Sequence, residues 1–285
     1  MKILVTGSKG FIGQALIKIL KKLNYKILTF NSKDGDISDV NLYEKYKNSD
    51  ISYIFHLAAK TFVPNSWENP IDFYKTSVIG TEQVLELCRK GSIPMTFVSA
   101  YIYGNPTTLP ISEEDKIKPN NPYAHSKFLA EELCKFYSEF YNTRVVIARP
   151  FNIYGKNQNK NFLIPHIIEQ VLNSDNIYVK DLNPKRDYVY IDDLIDGLIK
   201  TMSVKDKFSI FNFGSGIELS VEEIINIIQK VAKTSKNIIS EKIERQNEIM
   251  SVVADISKAK SDLKWEPKFT FQMGVMEILK DSLNE

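Results

Sequence analysis

Short, nearly unbroken apolar runs alternate along the first half of the chain with longer stretches whose apolar residues recur every third or fourth position. KILVT comes first, then a segment with Ile12, Ala15, Leu16, Ile19, Leu20 and Leu23 on one helical face, then KILTF. An apolar run without polar alternation is a strand buried on both faces, and a 3.6-residue repeat is a helix packed by one face. The opening therefore reads β-α-β. The alternation continues through SYIFHLAA, a helix from about Ile71 to Lys90, the strand MTFVS, a helix from about Tyr123 to Tyr141, and RVVIARP. Such strands, separated by helices, predict an α/β fold with a doubly wound parallel sheet covered on both faces.

After Pro150 the rhythm loosens into the polar stretch YGKNQNKN, a helix near His166 to Leu172, and strand candidates NIYVK and DYVYI. This predicts a dinucleotide-binding domain over 1–155, with 186–213 returning to it, and a smaller substrate lobe built from 156–185 and 214–285. The chain has no internal repeat, low-complexity tract or flexible linker, so the lobe is expected to pack against the sheet.

With 285 residues, 43% of them hydrophobic, the chain can bury a large core. Its 37 basic and 35 acidic residues leave a net charge of +2, which gives no global reason to expect nucleic acid or a membrane as partner. Any anion site is local. Cys88 and Cys134 both fall in helical patterns, which reads as core filler in a reduced, cytoplasmic setting. The N-terminal apolar stretch is too short for a signal peptide, and no run approaches a membrane span. His56, His125 and His166 lie in unrelated elements without metal spacing, and read as structural or solvent-facing.

The first strand leads into TGSKGFIG, where Gly7, Gly10 and Gly13 recur every third residue. A tight strand-to-helix turn needs glycine for the turn itself and for close approach of backbone N–H groups to a phosphate at the helix N-terminus. A purely structural turn would use the same residues. The position and the strand that follows favour a dinucleotide. At the end of the second strand, an acidic side chain would accept hydrogen bonds from the adenosine ribose and repel a 2′-phosphate. This chain has Asn31, Ser32 and Lys33 there, whose hydroxyl and ammonium suit NADP; Asp34 close by keeps NAD open.

NPYAHSKFLAEELC sets Tyr123 and Lys127 four residues apart, hence on one face of a helix, and the stripe continues through Ala130 and Cys134 toward the interior. A free phenol ionises near pH ~10, and a neighbouring ammonium lowers that value by about one to three units, making the phenol a usable acid and base. Ser99 ends the strand MTFVS, where a parallel sheet presents ligand groups.

The order TGSKGFIG, GDI, HLAA, VSAYIYG, YAHSK, RPFNIYG, RDYVYIDD and VADISKAKSDLKWEP resembles the extended short-chain dehydrogenases/reductases, the nucleotide-sugar epimerase, dehydratase and reductase family, over nearly the whole chain. The resemblance implies a Rossmann-type sheet, a Ser99–Tyr123–Lys127 catalytic triad and a homodimer. It implies a cofactor bed at Gly7, Gly10, Phe11, Ile12 and Gly13, an adenine contact at Asp36 and Ile37, and further cofactor contacts at Leu57, Ala58, Ala59 and Pro150. Asn152, Arg186 and Arg245 match positions that hold the diphosphate of a nucleotide-diphosphate sugar, a task suited to the planar arginine fork.

Within that family, Ala100 and Tyr101 stand where the 4,6-dehydratases carry an Asp-Glu pair, which argues against loss of water. A 4-keto reductase using NADPH and a 4-epimerase retaining NAD remain. The short segment NSKDGDI, the missing ribose carboxylate, and Ser77 where epimerases carry asparagine favour the reductase. A non-catalytic NADP-binding sensor is the remote third reading, since such proteins have lost the Tyr-Lys pair that is present here.

Overall fold

The computed structural model describes residues 1–243 and 248–280. Its strands are β1 (Lys2–Thr6), β2 (Lys26–Phe30), β3 (Tyr53–His56), β4 (Met95–Val98), β5 (Val145–Pro150), β6 (Asn152–Tyr154), β7 (Asn176–Val179), β8 (Lys185–Tyr190), β9 (Phe208–Phe213), β10 (Glu218–Ser220) and β11 (Asn237–Ser240). A six-stranded sheet runs in the order β2-β1-β3-β4-β5-β9. All its neighbours are parallel, as the lack of polar alternation predicts. From β1 the chain goes to β2 on one side and then to β3 on the other, so the connections diverge and leave a crevice beyond the carboxyl ends of β1 and β3.

Successive side chains feed opposite faces. Ile3 and Val5 join one apolar layer with Leu16, Leu20, Leu194 and Phe213, while Leu4 joins the other with Val84, Cys88, Ala130 and Cys134. Both cysteines are buried and free. Two expectations are corrected. Leu23 is the residue that ends the helix Phe11–Lys22, and it is half exposed, off the buried face. The helix expected from about Ile71 to Lys90 is continuous but uneven: Pro70–Tyr74 is α-helical, Lys75–Ile79 is a π-helical turn, and Gly80–Gly91 is α-helical again.

Only Phe151 separates β5 from β6, and its N–H bonds the Phe213 carbonyl at 2.8 Å. β6 pairs with β8, which pairs antiparallel with β10; β7 and β11 form a parallel pair. The first apolar layer runs on without a break into Ile164, Ile167, Val171, Ile224 and Ile228, so this part packs on the sheet. Asp193, buried at the start of the helix Ile191–Thr201, accepts bonds from Lys268 N and Phe269 N, both at 2.9 Å, and its carbonyl accepts the Trp265 indole N–H at 2.9 Å. The WEP segment is docked by one aspartate. Among the described residues no helix is long and apolar enough to cross a membrane.

The Arg149–Glu131 ion pair lies inside the structure. The Arg149 guanidinium on β5, 2% exposed, bonds both carboxylate oxygens of Glu131 on the helix Pro122–Tyr141. It also donates to the Tyr103 hydroxyl at 2.9 Å and the Glu113 carbonyl at 3.2 Å. The Tyr103 hydroxyl in turn donates to Asn212 Oδ1 at 2.7 Å, and Asn212 N donates to Glu113 Oε1 at 2.7 Å. Removing one partner of such a pair leaves an uncompensated buried charge. Glu131→Ala should therefore lower unfolding stability by about 3–5 kcal/mol, seen as a lower urea midpoint at unchanged slope.

Candidate active site

The glycine loop is tight because the chain packs against itself. Gly7 has φ +65°, and a Cβ there would lie 2.7 Å from Ala58 N and Leu57 C; a Cβ on Gly13 would lie 2.3 Å from Gly7 O. Gly10 N bonds Gly7 O at 2.9 Å, and Gly10 then starts the helix Phe11–Lys22, with no side chain to cap it and no acidic residue in its first turn. First-turn N–H groups have no intrahelical acceptor. Those of Phe11, Ile12 and Gly13 are therefore left for an anion beside Leu57, Ala58 and Ala59.

Ser8 N bonds Phe30 O at 3.3 Å, which holds this loop against the end of β2 and the residues that follow. There, Asp34 Oδ2 accepts from Asn31 N at 2.9 Å and Asn31 Nδ2 at 2.7 Å, while Asn31 Oδ1 accepts from Lys33 N at 3.1 Å. The turn draws the Asp34 carboxylate back onto Asn31. Ser32 and Lys33 are left exposed. Asp36 accepts from Ser38 N and Oγ, bonds that hold its carboxyl below the usual range. Ile37 is buried against Gly80, where a Cβ would come within 2.6 Å of it.

The helix carrying Tyr123 and Lys127 starts at Asn121, whose Oδ1 caps it by accepting from Ala124 N at 2.9 Å, with Pro122 in the first turn. Lys127 is buried; its Nζ donates to the Val98 carbonyl at 2.8 Å and lies 4.5 Å from the centre of the Phe97 ring. This sets the ammonium next to Ser99. Burial lowers the Lys127 pKa to about 8, against the opposing field of Glu131. Tyr123 corrects the expected lowering by Lys127: burial pushes its phenol up to about 12, and the ammonium is engaged at Val98 O. Its ring packs edge-on to Phe73 at 6.2 Å. Ser99 Oγ is buried with no hydrogen-bond partner among the described residues. Such a hydroxyl is costly unless a ligand oxygen meets it.

The uncapped helix end, the crevice at the sheet's switch point and the orphaned Ser99 hydroxyl together fit a phosphate-bearing dinucleotide with a reacting oxygen beside it. Pro150 closes β5, paired with Phe213. Asn152 on β6 donates to the Asp187 carbonyl at 3.3 Å. On β8, the Arg186 guanidinium donates to Glu248 and to the carbonyls of Lys185 and Ile249, so its fork is engaged by the chain itself. No hydrogen bond among the described residues joins Asn152 or Arg186 to Ser99, Tyr123 or Lys127. Arg245 lies outside the described residues. Glu248 also lines a groove of about 490 Å³ between 105–109 and 248–251.

Sequence reasoning did not anticipate Asp187. Its buried carboxylate accepts from Ser215 N and Oγ, Gly216 N and Ala254 N, fixing the loop beyond β9. RDY was visible as a motif, but its aspartate's partners lie far away in sequence.

The model of the NAD dependent epimerase/dehydratase family matches residues 3–214. A putative UDP-glucose 4-epimerase of Methanocaldococcus jannaschii is 33% identical over 97% of both chains. A GDP-6-deoxy-D-talose 4-dehydrogenase of Aggregatibacter actinomycetemcomitans is 32% identical over 97% of this chain and 96% of its own. Among solved structures, RMD from Pseudomonas aeruginosa, complexed with NADPH, superposes with a TM-score of 0.90 at 26% identity, covering 98% of each chain.

Because burial brings the Lys127 pKa down to about 8, binding of a nicotinamide dinucleotide, NAD or NADP, should weaken as pH rises through that value. Lys127→Met, with no proton to lose, should bind weakly and without that step. Calorimetric titration across the range checks this; the same step in the variant would assign it to another group.

Proposed function

The chain belongs to the NAD dependent epimerase/dehydratase family, in its extended short-chain dehydrogenase/reductase branch, and we propose that it uses NADPH to reduce a 4-keto nucleotide-diphosphate sugar at C4. The observation that carries this reading is the turn after β2. With the Asp34 carboxylate hydrogen-bonded to Asn31, the exposed Ser32 hydroxyl and Lys33 ammonium are available to a 2′-phosphate, and no acid ends β2 itself. The NADPH complex of RMD and the 4-dehydrogenase relative support it.

The cofactor, when bound, supplies the hydride. Gly7, Gly10, Phe11, Ile12 and Gly13 hold its phosphates, with Leu57, Ala58, Ala59 and Pro150 lining the bed. Tyr123, whose phenol keeps its proton to about pH 12, is the acid that protonates the oxygen at C4. Ser99 Oγ donates a hydrogen bond to the same oxygen, and Lys127, released from the Val98 carbonyl when the cofactor enters, would turn its ammonium toward the phenolate left behind. The lobe of 156–185 and 214–285 takes the nucleotide sugar. Asn152, Arg186 and Arg245 meet the diphosphate, Arg186 exchanging Glu248 for phosphate. Ala100 and Tyr101 supply no carboxylate pair for dehydration. The protein works as a homodimer in the cytoplasm.

A second reading, a 4-epimerase that retains NAD, draws support from the 33% identical UDP-glucose 4-epimerase relative. The cofactor of freshly purified protein separates the two: retained NAD favours the epimerase, and an empty site that fills with NADPH favours the reductase.

Lys33→Ala should narrow the preference for NADPH over NADH, measured as a ratio of dissociation constants; equal affinities in the parent would remove the basis for NADP. Tyr123→Phe should fold and bind NADPH, yet slow single-turnover hydride transfer by about 10²–10⁴-fold. Transfer at the parent rate would make Tyr123 and Lys127 structural groups and place the chemistry elsewhere.

A further inference from the structure

The Thr6–His56–Thr81 contact lies beneath the crevice and outside the chemistry described above. His56 ends β3 and is fully buried. Its Nδ1 lies 2.7 Å from Thr6 Oγ1, at the end of β1, and its Nε2 lies 3.0 Å from Thr81 Oγ1, in the helix Gly80–Gly91. Thr6 Oγ1 also accepts from Leu57 N at 3.1 Å and from Ala58 N at 3.2 Å.

Counting hydrogens fixes the direction of the whole chain. A hydroxyl has one proton and two acceptor sites. Both acceptor sites of Thr6 are taken by the Leu57 and Ala58 amides, so its proton goes to His56 Nδ1. A neutral imidazole that accepts at Nδ1 carries its proton at Nε2, and that proton goes to Thr81 Oγ1. Burial and the nearby Lys127 ammonium both disfavour the doubly protonated ring.

The amides that start this chain belong to the stretch lying 2.7 Å from where a Gly7 Cβ would be. We propose that His56, held as the Nε2–H tautomer between Thr6 and Thr81, is a positioning residue for the dinucleotide bed, fixing the Leu57–Ala58 backbone against the glycine loop. This rests on the cofactor reading given above. His56 touches no substrate in this role. It acts through Thr6 on the wall that the dinucleotide meets.

The test uses the intact protein, with NADPH and NADH as probes. Thr6→Val keeps the shape of the side chain but removes both acceptor sites and the proton for His56; Thr6→Ser keeps all three. Leaving buried donors unpaired costs enough to change a binding constant by about 5- to 150-fold. Thr6→Val should therefore weaken the preferred dinucleotide about tenfold or more, leave binding of UDP and GDP, probes of the nucleotide-sugar site, unchanged, and be rescued by Thr6→Ser. Nitrogen-15 NMR of the parent at pH 7 should show His56 protonated at Nε2 alone. Parent-like dinucleotide affinity in Thr6→Val, or a His56 proton on Nδ1, would overturn the proposal. If Thr6→Val fails to fold, Thr81→Val, which removes the acceptor of the His56 Nε2 proton and leaves Thr6 in place, is read for the same loss of dinucleotide affinity, and parent-like affinity there would overturn the proposal. A parent protein that binds neither dinucleotide would instead remove the cofactor reading, a distinct outcome.

Discussion

The buried Arg149–Glu131 pair is the constraint around which the site is arranged. Taking a guanidinium and a carboxylate out of water costs several kcal/mol each, and it is repaid only by geometry that meets nearly every donor and lone pair. Here Glu131 takes three of the guanidinium's bonds, and Tyr103 and the Glu113 carbonyl take two more. The demand for complete satisfaction fixes three elements at once. Glu131 lies one helical turn beyond Lys127, Arg149 immediately precedes Pro150, and Tyr103 belongs to the stretch that leaves Ser99. The helix of the acid, the strand edge of the bed and the segment of the serine are thus located by one charge pair that touches no ligand.

Much of the fold was legible because local spacing encodes it. KILVT and RVVIARP lack polar alternation and became fully paired parallel strands, and the Tyr123–Lys127 spacing set Lys127 inward because Ala130 and Cys134 continue the same stripe. Leu23 fits the apolar period of its helix but is the residue that ends it, so the period outran the element. The pairing of Glu131 with Arg149 was not legible. Arg149 stands in a strand otherwise apolar and Glu131 lies one turn beyond Lys127 on the inward face, so each position marks a buried charge, but only the packing of helix on sheet shows that the two meet.

The site shows the same division. The glycine turn and the bare serine hydroxyl could be anticipated from residue type and position. The electrostatics could not: a Tyr-Lys spacing says that two groups share a face, not which one desolvation governs. In the folded chain the ammonium is pinned at the Val98 carbonyl and burial decides both titrations. Arg186 is similar. Its residue type announces phosphate, while its environment supplies Glu248 and two carbonyls first.

The passage from β5 to β6 through Phe151 alone has a dynamic meaning. A single residue, tied by its N–H to β9, leaves no hinge between the sheet and the part of the chain that packs on it, and one apolar layer runs through both. Rigid-body closure around a guest would have to tear that layer open. The larger adjustment left to the chain is in side chains and loops, of which the Arg186 fork, occupied by Glu248 and two carbonyls, is the plainest case.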